Sequence, residues 1–184
     1  MSRRPNRDAG APNARQRVSS APMPHTGPIL EGKGATDYER YVRVPELLEL
    51  QKPIEQLAHP DERLFQVTHQ TAELWLHHID YEIDRAVACI ENDSPELAAD
   101  LLHRSRLILD LLREQIVILE TMAPVHYHAL RTTSLGRGSG QDSPGFHRLL
   151  EAGKRLWPPF QALLGKYSVT VLELERKPAA QYGL

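Results

Sequence analysis

Phe65, His69 and Glu73 stand four residues apart inside a continuous helix-periodic stretch, so they line up an aromatic ring, an imidazole and a carboxylate on one row. Ala72 and Leu76 continue the apolar stripe beside that row, and Trp75 adds a second ring on the core-side faces. A histidine so placed is most often a hydrogen-bonded core residue, because its burial preference is intermediate. A metal centre is the first chemistry to weigh: His69, Glu73 and His77 are spaced i, i+4, i+8, and Asp100 and His103 follow on the next helix. Di-metal sites in helical bundles use paired Glu-x-x-His motifs, however, and this chain has none. His77, His78 and His103 therefore read as polar-face residues and Asp100 as a solvated charge.

The second chemistry is a pocket for an aromatic ligand that carries a carboxylate. Tyr127 and Arg131 are spaced i, i+4 and share a helix face, and Arg131 sits just ahead of a loop, 135–145, that contains Gly136, Gly138, Gly140 and Gly145. A guanidinium on a helix can grip a carboxylate with two parallel hydrogen bonds, and a glycine-rich loop lets backbone amides come close to a ligand. The plainer alternatives are a helix-end arginine facing the dipole and a flexible connector. Nucleophilic hydrolysis has little support, since neither Ser139 nor Ser143 lies in a Gly-x-Ser-x-Gly elbow, and there is no phosphate loop.

Helices must position these groups. A long helix is expected over 61–92, opened by Asp61 and Glu62 after the His59-Pro60 break. Asp93-Ser94-Pro95 supplies a turn, and a helix over 96–122 presents Leu97, Leu101, Ile108, Leu111, Leu112, Val117, Ile118 and Leu119 as a broad apolar face. With so short a connection the two must run antiparallel. Shorter helices are expected over 45–57, 124–131, 146–153 and 157–164, the last started by Pro158-Pro159. Residues 36–42 read as an extended or turn-like lead-in, and 168–174 as either a helix start or an extended segment. Nothing alternates strand with helix, so the class is all-α.

Composition narrows the setting. The net charge of -2 gives no bias toward nucleic acid, and the single cysteine, Cys89, rules out an intrachain disulfide scaffold or a cysteine zinc site and favours a reducing compartment. No apolar run is long enough to span a bilayer and no secretory signal follows the N-terminal arginines, so a cytoplasmic protein with no membrane association is expected. Residues 1–35, rich in Pro, Gly, Ser, Asn and Arg, are expected to be disordered, leaving 36–184 as a helical domain.

Four motifs occur in order: Tyr38-x-x-Tyr41 followed by Leu47-Leu48-x-x-Gln51, Phe65-x-x-x-His69-Gln70-x-x-Glu73-Leu74-Trp75, Met122-x-Pro124-x-x-Tyr127-x-x-Leu130-Arg131, and Ser139-Gly140-x-x-Ser143. Together they resemble tryptophan 2,3-dioxygenase and its relatives among the histidine-ligated heme-dependent aromatic oxygenases. The resemblance implies an all-helical bundle with two long antiparallel helices that binds heme b and, with dioxygen, an indole or other aromatic amino acid. It implies that His69 is the distal histidine that hydrogen-bonds the substrate's ring N–H or hydroxyl, that Phe65 walls the pocket, that Arg131 binds the carboxylate with Tyr127 in support, and that Ser139, Gly140 and Ser143 form the substrate loop. Tyr38 and Tyr41 would approach a neighbouring subunit's site, and Glu73 and Trp75 would support the helix.

Two positions depart from the tryptophan-cleaving pattern: Leu130 stands where Phe is usual, and the loop reads Ser139-Gly140-Gln141-Asp142-Ser143. Both lean toward a divergent relative. The family's proximal heme ligand lies on a later helix after a Trp-Arg pair, so the resemblance implies a domain cut short at its C-terminus, with His147 the sole histidine following Arg131. A split oxygenase completed by a second polypeptide, a homo-oligomer, or a heme-free helical module that keeps the pocket for a ligand or partner are the expectations that follow.

Overall fold

A stretch with helix-favouring residues and no internal Pro or Gly runs from Asp61 to Glu91, and in the computed structural model, which describes residues 30–176, it is a single helix. Contacts divide the chain into two units, 1–47 and 48–184. The boundary read from the sequence falls between 35 and 36, and most of the segment expected to be disordered lies outside the described residues.

In the first unit, the residues expected to be extended form a helix, α1 (Asp37–Val42). A capping box explains the difference: the Thr36 hydroxyl accepts from the Glu39 amide at 3.1 Å, and the Glu39 carboxylate accepts from the Thr36 amide at 2.8 Å. Arg43, with φ 59°, ends α1 in the left-handed conformation and α2 (Val44–Leu48) begins at once. The helix expected over 45–57 is thus only this short α2 followed, after a break, by a single 3₁₀ turn, Ile54–Gln56.

The second unit is built around α3 (Asp61–Glu91), which packs against α4 (Pro95–Leu119) and α6 (Pro144–Lys166). Arg104 pairs with Glu82 at 2.9 Å and Gln115 donates to the Thr68 carbonyl at 2.6 Å, so partners on α4 rise as those on α3 fall and the two are antiparallel, as expected. Gly145 meets Glu73, Arg148 meets Asp80 and Arg155 meets Asp84, so α6 runs parallel to α3. α4 has already brought the chain back toward the start of α3, so α6 sets off in the same direction as α3. The link between α4 and α6 is α5 (Pro124–Leu130) with the turn and loop that follow it, and these carry Tyr127, Arg131, Ser139, Gly140 and Ser143.

α3 carries a charged anchor toward each of its two neighbours. Asp80 faces α6, held by Arg148 at 2.8 Å and by Arg155, while buried Glu82 faces α4, held by Arg104, Arg85 at 3.2 Å and His78 at 3.3 Å. Between them the core is Leu76, Ile79, Ile83, Ile108 and Ala152, continuing through Ala86, Ile90, Ala98, Leu101 and Leu163. The broad apolar face expected of α4 is only partly used. Leu101 and Ile108 are buried, whereas Leu97, Leu111, Val117 and Ile118 are exposed, because α3 covers one stripe and no other described element covers the rest.

Two expected short helices are one: α6 runs unbroken through Pro158 and Pro159. Each proline removes an amide donor from the ladder. Leu156, Phe160 and Leu163 packed along α3 and α4 hold the helix through that gap. Trp75 also departs from the core-side expectation, being 38% exposed beside His78. The ambiguous segment near 168–174 resolves as a left-handed Ser168 (φ 53°) and a helix, α7 (Val171–Arg176), capped by Thr170 and Glu173. No described helix is long and apolar enough to cross a membrane.

Acid should loosen this bundle through Asp80 and Glu62. Burial pushes the Asp80 carboxyl up, but Arg155 and Arg148 outweigh it and hold the group below its ordinary range. Glu62 behaves alike: burial raises it, and the Ala58 amide, Ser134 and Lys52 bring it down overall. Both folded-state values lie below the unfolded ones, so the stability they contribute is full above the ordinary carboxylate range, about pH 4, and is lost as pH falls through the folded values. Denaturant unfolding at pH 6 and pH 3 should show this loss, and Asp80→Asn should flatten it.

Candidate functional site

The row formed by Phe65, His69 and Glu73 faces a cavity of about 800 Å³. Leu119 from the end of α4, Tyr127 from α5, Arg131 and Leu135 from the turn after α5, and Ser139, Gly140, Asp142 and Ser143 from the glycine-rich loop complete the wall. Every residue singled out in the second unit for an aromatic, carboxylate-bearing ligand lines this one space. Tyr38 and Tyr41 belong to the first unit, where they are 70% and 79% exposed. His147 lies elsewhere, in a surface depression with Arg148, Glu151 and Arg155.

The imidazole is fixed by its own helix. His69 Nδ1 lies 2.8 Å from the Phe65 carbonyl oxygen. A carbonyl only accepts, so Nδ1 carries the proton, and in the neutral ring Nε2 is an acceptor. The Phe65 ring stacks on His69 with centroids 4.0 Å apart and meets Tyr127 at 6.1 Å, giving an aromatic wall next to that acceptor.

Arg131 is positioned by an interruption of the helix. After Leu130 the chain widens into a π turn, Arg131–Leu135, a form that recurs at functional sites. Lys52 anchors this turn by donating to Ser134 Oγ at 3.1 Å while pairing with buried Glu62 at 3.0 Å. The Arg131 guanidinium donates to the Gly138 carbonyl and so ties down the start of the loop. Gly136, at φ 59°, makes the turn between them.

The two serines have capping roles. Ser139 Oγ accepts from the Gln141 amide at 3.2 Å, with Asp142 returning a contact to the Ser139 amide at 2.8 Å, and Ser143 Oγ accepts from the Phe146 amide at 3.0 Å at the start of α6. Each bond uses an acceptor lone pair and leaves the O–H able to donate. Glu73 Oε2 accepts from the Gly145 amide at 3.2 Å, and a Cβ at Gly145 would sit 2.7 Å from Leu76 Cβ and 2.9 Å from that carboxylate oxygen. Gly145→Ala should therefore push α6 off α3 and cost about 1–3 kcal/mol. A denaturant midpoint within error of wild type would show that this approach is not tight.

His69, Glu73, Gly140 and Ser143 also border a second cleft, about 320 Å³, where α4 and α6 part below the loop. Leu76, Leu109, Leu112, Ile116, Phe146 and Leu149 make its walls apolar, with Arg113 and Gln115 on the α4 side. Gln115 spans to α3, donating to the Thr68 carbonyl and to Thr71 Oγ1. Leu119, Leu135, Asp142 and Gln115 were not singled out in the sequence as site residues. Asp142 alone had a local signal, the Ser-x-x-Asp spacing of a capping box.

A family model described as tryptophan 2,3-dioxygenase matches residues 24–155. Curated proteins named tryptophan 2,3-dioxygenase from Xanthomonas oryzae pv. oryzae (strain PXO99A) and Xanthomonas campestris pv. campestris (strain B100) are each 38% identical over 111 residues, 60% of this chain and 37% of theirs. One from Arthrobacter sp. (strain FB24) is 33% identical over 129 residues, 68% of this chain and 45% of its own. The chain thus spans less than half the length of these relatives.

Proposed function

We propose, for a chain that belongs to the tryptophan 2,3-dioxygenase family, that the larger cavity receives tryptophan or a related indole amino acid and presents its ring for oxygenation. The observation that carries this reading is the convergence of Phe65, His69, Tyr127, Arg131, Ser139, Gly140 and Ser143 on one space. Phe65 and Tyr127 wall the ring and keep water from it. His69 Nε2 accepts the ring N–H, with the Phe65 carbonyl holding the tautomer that makes this geometry available. Arg131 exchanges its bond to the Gly138 carbonyl for the substrate carboxylate, a charge-assisted contact, and the Ser139 and Ser143 hydroxyls donate beside it. The carboxylates of Glu73 and Asp142 in the same wall suit the substrate ammonium.

Heme b belongs to this reading as the group that supplies activation of dioxygen. The apolar walls of the second cleft would lie against part of one face of the macrocycle, and Arg113 would be the cation available to a propionate. His69 is the single imidazole lining either cavity, and no axial ligand is assigned among the described residues. Assembly into a homo-oligomer or with a complementing polypeptide, which would bring Tyr38 and Tyr41 to a neighbouring pocket, is part of the same proposal.

The test adds hemin to purified wild type, His69→Ala and His147→Ala, then tryptophan with reductant and dioxygen. A Soret band distinct from free hemin in all three proteins, with a tryptophan-induced shift that is lost in His69→Ala and kept in His147→Ala, supports the reading. Product mass then separates ring opening, which adds two oxygen atoms, from hydroxylation, which adds one. A spectrum identical to free hemin removes heme binding by the chain alone and favours a heme-free ligand-binding module or a split enzyme.

A further inference from the structure

We propose that His59, Asp61 and His126 form a binding site for a divalent transition metal ion of the zinc class, which clasps α5 to the start of α3. Folding brings these groups together from distant parts of the chain, and their ligand atoms all lie within 4.8 Å of one another. His126 Nδ1 is 2.7 Å from Asp61 Oδ2, and His59 Nδ1 is 3.7 Å from the same oxygen. Bonds of about 2.0–2.1 Å in a tetrahedral site place neighbouring ligand atoms roughly 3.3 Å apart, so these separations straddle the required value.

The donor set selects the class of ion. Two imidazoles with one carboxylate suit zinc, cobalt, nickel or copper(II). Calcium and magnesium want oxygen ligands in greater number, and no sulfur is present for copper(I). Three protein ligands leave a position for water. The ion replaces the proton now shared between His126 and Asp61, and it takes His59 Nδ1 from the Asp61 amide, which donates to it at 3.1 Å.

The placement is pre-organised. His59 and Asp61 flank Pro60, whose ring fixes φ at -51°, so the pair sits on a stiff segment. The two imidazoles stack with centroids 3.8 Å apart and planes tilted by 24°, so both are close to the Asp61 carboxylate, and one ring turns about its side-chain torsions to aim its in-plane lone pair at the ion. All three side chains are about one-third exposed, so an ion can enter. A cation at a helix N-terminus is disfavoured by the dipole, and the Asp61 carboxylate offsets this.

None of the three lines either cavity described above, so the site is separate from the proposed substrate pocket. Its effect reaches that pocket through α5. Tyr127 follows His126 directly, and Arg131 lies five residues on, so an ion that fixes His126 against Asp61 also fixes the helix that presents them.

The test uses the full chain, free of any affinity tag and stripped with a chelator, titrated calorimetrically with Zn²⁺ at neutral pH and spectroscopically with Co²⁺. One equivalent should bind, thermal stability should rise with Zn²⁺, and Co²⁺ should give the visible bands of a tetrahedral centre. His126→Gln and Asp61→Asn should each weaken Zn²⁺ binding by at least about 100-fold, beyond the 10- to 100-fold that loss of a supporting contact costs. His147→Ala should not change it. His59→Asn, ahead of α3, repeats the test should either variant lower the helical circular dichroism signal. Absence of binding up to millimolar Zn²⁺, or affinity unchanged in all three ligand variants, overturns the proposal.

Discussion

Arg131→Leu is expected to weaken tryptophan binding by about 1.5–3 kcal/mol, roughly 10- to 150-fold in Kd, while tryptamine binds as it does to wild type. The reasoning is electrostatic and local. Arg131 is the cation lining the larger cavity, it is held by the π turn that Lys52 and Ser134 anchor, and its present partner there is a neutral carbonyl. A carboxylate is the stronger partner for a guanidinium, so the exchange favours the ligand. Tryptamine keeps the ring and ammonium but lacks the carboxylate. Calorimetric titration of both ligands reads the difference, and Arg131→Lys should fall between, since an ammonium keeps the charge without the planar fork. An equal loss for both ligands would show that Arg131 acts by holding the loop at Gly138.

Leu130→Ala should cost about 2–5 kcal/mol of stability, the usual penalty for emptying a core position. Leu130 is 1% exposed, one of the most enclosed side chains described, and it ends α5 directly before the π turn. For a domain of this size the thermal midpoint should fall on the order of 10 °C. Leu130→Phe, the residue the family resemblance leads one to expect there, should also destabilise, by about 1–3 kcal/mol, because the space is already filled by leucine. Denaturant unfolding of both variants checks this. A stabilising Leu130→Phe would mean that the position holds unfilled volume.

Much of the site was legible because its residues sit at helical spacing. The row from Phe65 to Glu73 and the Tyr127–Arg131 pair need only the 3.6-residue period to be placed on common faces, and α3 and α5 have the expected extents to within a residue. The order of the four motifs, rather than any one of them, pointed to the family. What the sequence hid is tertiary. The π turn has no composition of its own, and the docking of α6 on α3 is made by pairs such as Arg148 with Asp80 that join distant segments. Pro158 and Pro159 read as a helix start because their local cost is evident, while the packing of Leu156 and Leu163 that carries the helix through them is not. Likewise the apolar residues of α4 show a face without saying how much of it α3 covers. The His59, Asp61 and His126 cluster unites residues 65 positions apart in sequence and had no local motif.

The account turns on His69 Nε2 accepting the indole N–H, and comparison of tryptophan with 1-methyltryptophan tests that contact most directly. Both ligands keep the carboxylate and ammonium, and one lacks the ring donor. Titrated into wild type, tryptophan should bind more tightly by about 0.5–1.5 kcal/mol, the worth of a neutral hydrogen bond, and His69→Ala should erase the difference. Equal affinities in wild type, or a preference that survives in His69→Ala, would contradict it.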